Sequence, residues 1–431
     1  MLFELPEICL AALTPWRSAL LLQFPCTLEP EPSTLHLPSL QLAIQLSAWL
    51  IASIWLWKAI SAAIGIRSLP NLLSPAFDQT ISAEDHITII VPARNEQSAV
   101  RACIESLLAQ DYPNLHILAI DDRSTDQTGS VLADLAARNP HRLTALPILD
   151  LPPGWLGKTH AMALAARHAI ALHQPTWLLF TDADILFHPQ AIRRSLVAAR
   201  AEHADHFVAL PTPIIKSTGE AMLLGFFQVM GFWAVRLWRV RDPGSKRDSV
   251  GVGAFSLIRT SAYQQVGGFD GLRLEILEDL AFGRRVKLLG LRQRAALAPG
   301  LVKVHWAPGA RGIVEVLTKN LFALFRFYIS LLLAACCSIL LFGVGPLVAL
   351  AFPGTRLPGL LAILAIASMY RLVHRVSGNS LSSFWLFPFA AILLTYSLLR
   401  SMVITLRQGG VIWRGTFYPL AELRKHTNPR W

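Results

Sequence analysis

Charge is scarce in this 431-residue sequence: Asp, Glu, Lys and Arg together make up 16% of it. Soluble domains carry about a quarter, so a chain that is 53% hydrophobic holds more apolar side chain than a water-facing surface tolerates. The shortage is uneven. Charged residues gather between positions 78 and 320, and long uncharged runs flank them. Cysteine is sparse too. Cys9, Cys26, Cys103, Cys336 and Cys337 form no ligand-spaced cluster and are odd in number, which excludes a zinc module and argues against a disulfide scaffold. Cys336 and Cys337 lie in an apolar run, where they serve as small apolar residues. No nucleic-acid-reading module is recognisable either. The net charge is +11, but the basic residues are scattered or flank apolar spans. There they act as cytoplasmic retention charges and contacts to anionic lipid, which leaves no nucleic-acid partner.

The chain divides by composition. Residues 1–39 form an apolar leader broken by Pro6, Pro15, Pro25, Pro30 and Pro32, expected to be peripheral. Residues 40–67 read as an N-terminal transmembrane helix: Leu40–Ile64 carries Lys58 as its one charge, Trp49, Trp55 and Trp57 can anchor it at the interface, and Arg67 puts the next domain in the cytoplasm. Residues 80–310 are expected to be a catalytic domain, 311–406 interfacial and transmembrane helices, and 407–431 a basic cytoplasmic tail. The expected later spans are Leu321–Phe352, with Gly343–Pro346 as a candidate break, then Pro358–Tyr370 and Phe384–Leu406. Glu220–Trp238 is an apolar helix suited either to a core or to the membrane surface.

Within 80–310 the pattern alternates. Strands over His86–Pro92, Leu115–Ile120, Leu143–Leu149 and Thr176–Thr181 are separated by helices over Ser98–Gln110, up to Arg138, and from Lys158 to Ala171. That alternation predicts an α/β domain with a mainly parallel central sheet. Ligands in such sheets collect at the carboxyl ends of strands, where Asn95, Asp122 and Asp182 fall.

The run TWLLFTDADILF, residues 176–187, carries the chemistry. Extended alternation across Ala183 would put Asp182 and Asp184 on one face, able to share Mg²⁺ or Mn²⁺ bridging a diphosphate; a polar turn explains the pair equally well on its own. Asp121 and Asp122 end an earlier strand and suit a base or ribose. Lys158 offers a point charge to a phosphate or a carboxylate, or is a surface lysine at a helix start. Glu278 and Asp279 either are ordinary first-turn acids, or Asp279 takes the proton from an acceptor hydroxyl while Glu278 holds the geometry, with Glu275 as an outside candidate. The turn RDPGSKRD, 241–248, either solvates a loop or closes over diphosphate. His305 and Trp306 either pack or contact phosphate and sugar.

The motifs VPARNE, DDRSTD, WLGK, DAD, GGFD and LED together resemble the membrane-associated family-2 glycosyltransferases with a GT-A catalytic domain. Among these the chain is most similar to the hopanoid-associated branch and, more distantly, to ceramide glucosyltransferases. The resemblance, over about residues 85–420, implies a nucleotide-diphosphate sugar donor with its base near Ala93, Asn95, Glu96 and Asp122. It also implies metal–diphosphate binding through Asp182 and Asp184 beside Ala183, Lys158 as a donor-site lysine, Asp279 as general base, and inversion at the anomeric carbon. The acceptor implied is a membrane lipid hydroxyl, a hopanoid for this branch, at the cytoplasmic face of a bacterial inner membrane. One motif departs. Relatives carry Gln/Arg-x-x-Arg-Trp after the acidic pair, where this chain has VKVHWAPGARG; His305, Trp306 and Arg311 are the candidates to fill that place. VIWRGTFYPL resembles the branch's tail motif through Trp413, Arg414 and Tyr418. The alternatives are a processive polysaccharide synthase and a non-enzymatic transport or scaffold protein that binds nucleotide.

Overall fold

The computed structural model describes residues 37–82 and 84–426. The proline-broken part of the leader, Cys9, Cys26 and Arg430 lie outside the described residues. The chain divides into two compact units, Met1–Ile44 and Gln45–Trp431. Of the first, the described part is the opening of helix α1 (Leu37–Gly65).

In the second unit three strand-and-helix repeats and a fourth strand come first: β1 (Ile87–Ala93), α2 (Val100–Leu108), β2 (Leu115–Asp122), α3 (Thr128–Arg138), β3 (Leu143–Ile148), α4 (Gly157–Leu172) and β4 (Trp177–Phe180). Ile87, Ile89, Ile90 and Val91 are all buried, the unbroken apolar run expected of a strand covered on both faces. Then follow β5 (Ile185–Phe187), α5 (Ala191–Ala201), β6 (His206–Leu210), β7 (Thr212–Pro213), α6 (Thr218–Ala234), β8 (Ser256–Arg259), α7 (Thr260–Val266), α8 (Glu278–Leu288), β9 (Gln293–Leu297) and β10 (Val302–Val304).

Among the described residues the main sheet has seven strands in the order β3-β2-β1-β4-β8-β6-β9. It is mixed and, as expected, mainly parallel. β8 runs antiparallel to both β4 and β6, while the remaining pairings are parallel. A smaller sheet has the order β5-β10-β7. Because β2 and β3 lie on one side of β1 and β4 on the other, the chain reverses its direction of travel between β1 and β4. A crevice opens at their carboxyl ends for that reason.

The C-terminal part is helical: α9 (Gly309–Leu324), α10 (Ile329–Gly343), α11 (Gly345–Leu350), α12 (Arg356–Ser377) and α13 (Phe387–Gln408), then a hairpin of β11 (Gly410–Trp413) and β12 (Thr416–Pro419), then α14 (Leu420–His426). Five segments among the described residues are long and apolar enough to cross a membrane: Ser39–Ser68, Thr218–Arg239, Ile329–Leu350, Pro353–Ser377 and Leu381–Gln408. Two expectations change. The run expected over Leu321–Phe352 is not one helix: the chain turns between Leu324 and Ile329, with Arg326 and Phe327 at positive φ, and Leu321 belongs to α9. Residues 410–426 form a hairpin and a helix rather than a plain tail, since Arg414 and Gly415, both at positive φ, make the tight turn that a two-residue hairpin needs. Helix α6 buries Leu223, Phe226, Val229 and Phe232 among α9, α12 and α13.

Candidate active site

A cavity of about 660 Å³ lies at the carboxyl ends of β1, β2 and β4. Asp182 and Asp184 both line it, although not by extended alternation. β4 stops at Phe180 and β5 starts at Ile185, and the residues between them turn. Thr181 Oγ1 pins that turn by donating to the Ala254 carbonyl at 2.8 Å. The opposite wall is a glycine of necessity: a Cβ on Gly253 would stand 2.6 Å from Asp182 Oδ2.

Lys158 enters from the first turn of α4. That turn is fixed to the chain ahead of α8, because Leu156 N–H and Thr159 Oγ1 both donate to the Arg273 carbonyl, at 2.7 and 2.8 Å. Lys158 Nζ thereby reaches Asp182 Oδ1 at 2.5 Å and Glu278 Oε1 at 2.6 Å. Burial works against its charge, but Asp182, Glu278 and Asp279 outweigh it and raise its pKa, so the side chain stays an ammonium.

Asp279 follows Glu278 in the first turn of α8, where the helix N-terminus favours negative charge. Its Oδ2 accepts the Gly253 N–H at 3.0 Å and its Oδ1 accepts the Leu280 N–H at 2.7 Å. Burial first, then Glu278, push its carboxyl up to about 7, while Lys158 pulls it down. A carboxylate poised there suits proton abstraction near neutral pH.

Carboxylate oxygens are hard ligands suited to Mg²⁺ or Mn²⁺, and the charge balance fits such an ion. Burial, then Asp182 and Glu96, push the Asp184 carboxyl up to about 6, a sign of negative charge without a full counter-charge. Among the described residues no group of three or more His, Cys, Asp or Glu side chains forms a closed metal cage.

The other expected residues divide. Ala93, Glu96, Asp122, Ala183, Trp306, Trp413 and Arg414 line the same cavity as Lys158, Glu278 and Asp279. Asp121 does not, because neighbours on a strand point to opposite faces; its Oδ1 accepts the Ser124 N–H at 3.2 Å beneath Gly129. Asp122 faces the cavity with both oxygens engaged by Arg123, at 2.8 and 3.1 Å. Asn95 ties two loops together instead of facing a ligand: its N–H donates to Ser124 Oγ and its Oδ1 accepts the Thr125 N–H.

His305 turns to buried Glu220, with Nε2 3.5 Å from Oε2. Glu220 also accepts the N–H groups of Lys216 and Gly309, so it joins the starts of α6 and α9. Arg311 is exposed and pairs with Glu315 one turn on, at 3.0 Å. The 241–248 turn is held down rather than poised to close: Asp248 is buried under Arg236, and Lys287 Nζ donates to the carbonyls of Val240 and Asp242.

Three features of the cavity were not read from the sequence. The β11–β12 hairpin folds back so that Arg414 reaches the Glu96 carboxylate at 2.5 Å and the Arg94 carbonyl. Lys319 of α9 lines the cavity with Nζ 4.9 Å from the centre of the Trp413 ring. Leu224 and Phe227 of α6 and Leu317, Leu321 and Leu324 of α9 also line it, with Trp306 packed 5.1 Å from Phe227, and make an apolar wall. A basic residue one helix beyond the domain and an apolar stripe on two separate helices were the available signals.

Residues 88–267 match the model of glycosyl transferase family 2. The curated relatives matched include the 4,4'-diaponeurosporenoate glycosyltransferases of Staphylococcus aureus strains USA300 and NCTC 8325. Each is 26% identical over 200 residues, 46% of this chain and 50% of the relative. The chain thus spans about half the length of the curated relatives it matches. Among solved structures, a mannosyltransferase of Pyrobaculum calidifontis in complex with GDP-Man and Mn²⁺ is similar at 16% identity, covering 86% of this chain and 99% of that one with a TM-score of 0.49. Staphylococcus aureus TarS 1–349 is similar at 15% identity, covering 77% and 95% with a TM-score of 0.36. The matched residues 88–267 fall within a GT-A-like fold with a mixed central sheet.

Proposed function

We propose that this family-2 glycosyltransferase moves a sugar from a nucleotide-diphosphate donor to the hydroxyl of a membrane lipid, with inversion at the anomeric carbon. The observation that carries the reading is the continuity of one cavity from Asp182, Asp184 and Asp279 to the apolar wall of α6 and α9. A lipid body resting on that wall would bring its polar end to Asp279. The curated relatives are also named for glycosyl transfer, to diaponeurosporenoate. A hopanoid is the acceptor suggested by the sequence resemblance.

In this reading the donor's base lies towards Ala93 and Glu96, and its diphosphate lies between Asp182, Asp184 and Arg414. Asp182 and Asp184 would hold a divalent ion, which when bound would supply positive charge against the diphosphate. Asp279 takes the proton from the acceptor hydroxyl as its oxygen bonds to the anomeric carbon. The electron pair of the breaking carbon–oxygen bond leaves on the diphosphate. Lys158 holds Glu278 and Asp182 in register around that centre, and the Gly253 N–H fixes the Asp279 carboxylate.

Arg67 after α1, with Arg407, Arg424 and Lys425 near the other end of the helical region, supports a catalytic domain on the cytoplasmic side of a bacterial inner membrane. The test is mass spectrometry of total lipids from cells carrying the active protein or its Asp279→Asn form. A glycosylated lipid present only with the active protein supports the reading. Identical lipid profiles, with both proteins in the membrane, contradict it.

A further inference from the structure

Two of the cations lining the cavity are matched to the protein's own acids, Lys158 by Asp182 and Glu278 and Arg414 by Glu96. Arg94 lines it too, with Asp122 as the charge that favours it. Lys319 is different. It is half-buried on α9 and lines the cavity, and its Nζ sits 4.9 Å from the centre of the Trp413 ring. Among the described residues no carboxylate stands within ion-pair distance of it. The charges facing it are Arg414 and Lys158, which oppose its own charge, and Glu278 and Asp182, which favour it from farther off. Burial, with Arg414 and Lys158, brings its pKa down to about 8. A desolvated ammonium without a counter-ion is costly, and an aromatic face offsets only part of that cost. A bound anion would complete the site.

We propose that Lys319, held against Trp413, pairs with the outer phosphate of the departing nucleoside diphosphate. The inference rests on the glycosyl-transfer reading above and adds a residue to it. When the bond between the anomeric carbon and the phosphate oxygen breaks, its electron pair stays on that oxygen, and the outer phosphate gains a negative charge. The acceptor oxygen bonds to that carbon on the face opposite the departing phosphate and its proton passes to Asp279, so the step needs no further reactant. Lys319 lines the same cavity as Asp182 and Arg414, where it can meet the charge as it grows. Arg311, the sequence's candidate for such a role, is exposed on the outer side of the same helix.

The test is calorimetry on the full-length protein in nanodiscs with Mn²⁺, using UDP, UMP, GDP and GMP as probes. The wild type should bind UDP or GDP more tightly than the matching monophosphate. Lys319→Met should weaken diphosphate binding by about tenfold to a hundredfold and leave monophosphate binding unchanged, and Lys319→Arg should restore most of the difference. Equal diphosphate affinity in Lys319→Met and wild type overturns the inference, as does an equal loss for diphosphate and monophosphate. Loss of affinity for an acidic lipid alone also overturns it, by assigning the anion to the acceptor. A wild type that binds neither diphosphate overturns the donor reading itself, and this inference with it.

Discussion

Lys158 Nζ lies 2.6 Å from Glu278 Oε1 in the cavity wall, and Glu278 is buried. Removing the lysine strands a buried carboxylate, a change that typically costs about 3–5 kcal/mol. Lys158→Met is therefore expected to unfold at a clearly lower temperature as well as to lose transfer activity. Thermal unfolding in detergent checks this, and a wild-type midpoint would show that the pair is not structural.

Asp279 must be ionised to accept a proton. With its carboxyl pushed up to about 7, kcat/KM should climb as pH rises through about 7 and level off above it. Glu278→Gln removes a like charge, lowers the Asp279 pKa and moves this limb to lower pH. A limb that stays in place in Glu278→Gln would assign the titration to another group.

Asp184 should make metal binding depend on pH. A carboxyl pushed up to about 6 in the folded chain favours that chain while protonated, and the contribution is lost as pH rises through its folded value. A divalent ion displaces the proton and offsets the exposed charge. Mn²⁺ should then raise the unfolding temperature more at pH 7.5 than at pH 5.5, and Asp184→Asn should abolish most of the rise. Equal Mn²⁺ shifts at both pH values would count against Asp184 as a ligand.

The apolar wall yields a separable effect. Phe227 is partly exposed on the cavity side of α6 and packs on Trp306. Phe227→Ala should raise the acceptor KM by about tenfold, the equivalent of about 1.4 kcal/mol of lost apolar contact, with nucleoside diphosphate binding unaltered. A weakened nucleotide affinity with normal acceptor KM would place the lipid elsewhere.

The legible parts of the chain are those whose local pattern has one outcome. A short apolar run ending in a carboxylate reads as a strand that delivers it to a crevice, and β1, β2 and β4 lie there. The antiparallel β8 was hidden because four residues with no period of their own are placed by their neighbours. Asp121 and Asn95 were misjudged for the same reason: nearness in sequence to a ligand-facing residue says nothing about which face a side chain takes. His305 and Arg311 were named from their place after an acidic pair, whereas packing of α9 against α6 and α13 turns Lys319 inward instead. Arg414-Gly415, a two-residue turn between apolar pairs, was the one readable signal that 410–419 is a hairpin.

The most direct measurement is single-turnover transfer by purified protein, with Mn²⁺, a nucleotide sugar it binds and lipid from its host membrane, run beside diphosphate binding for wild type and Asp279→Asn. The account predicts an inverted lipid glycoside from the wild type, and from Asp279→Asn a transfer rate lower by about a hundredfold or more with diphosphate affinity unchanged. Wild-type-like transfer by Asp279→Asn, or a wild type that binds the donor yet glycosylates no lipid, would contradict it.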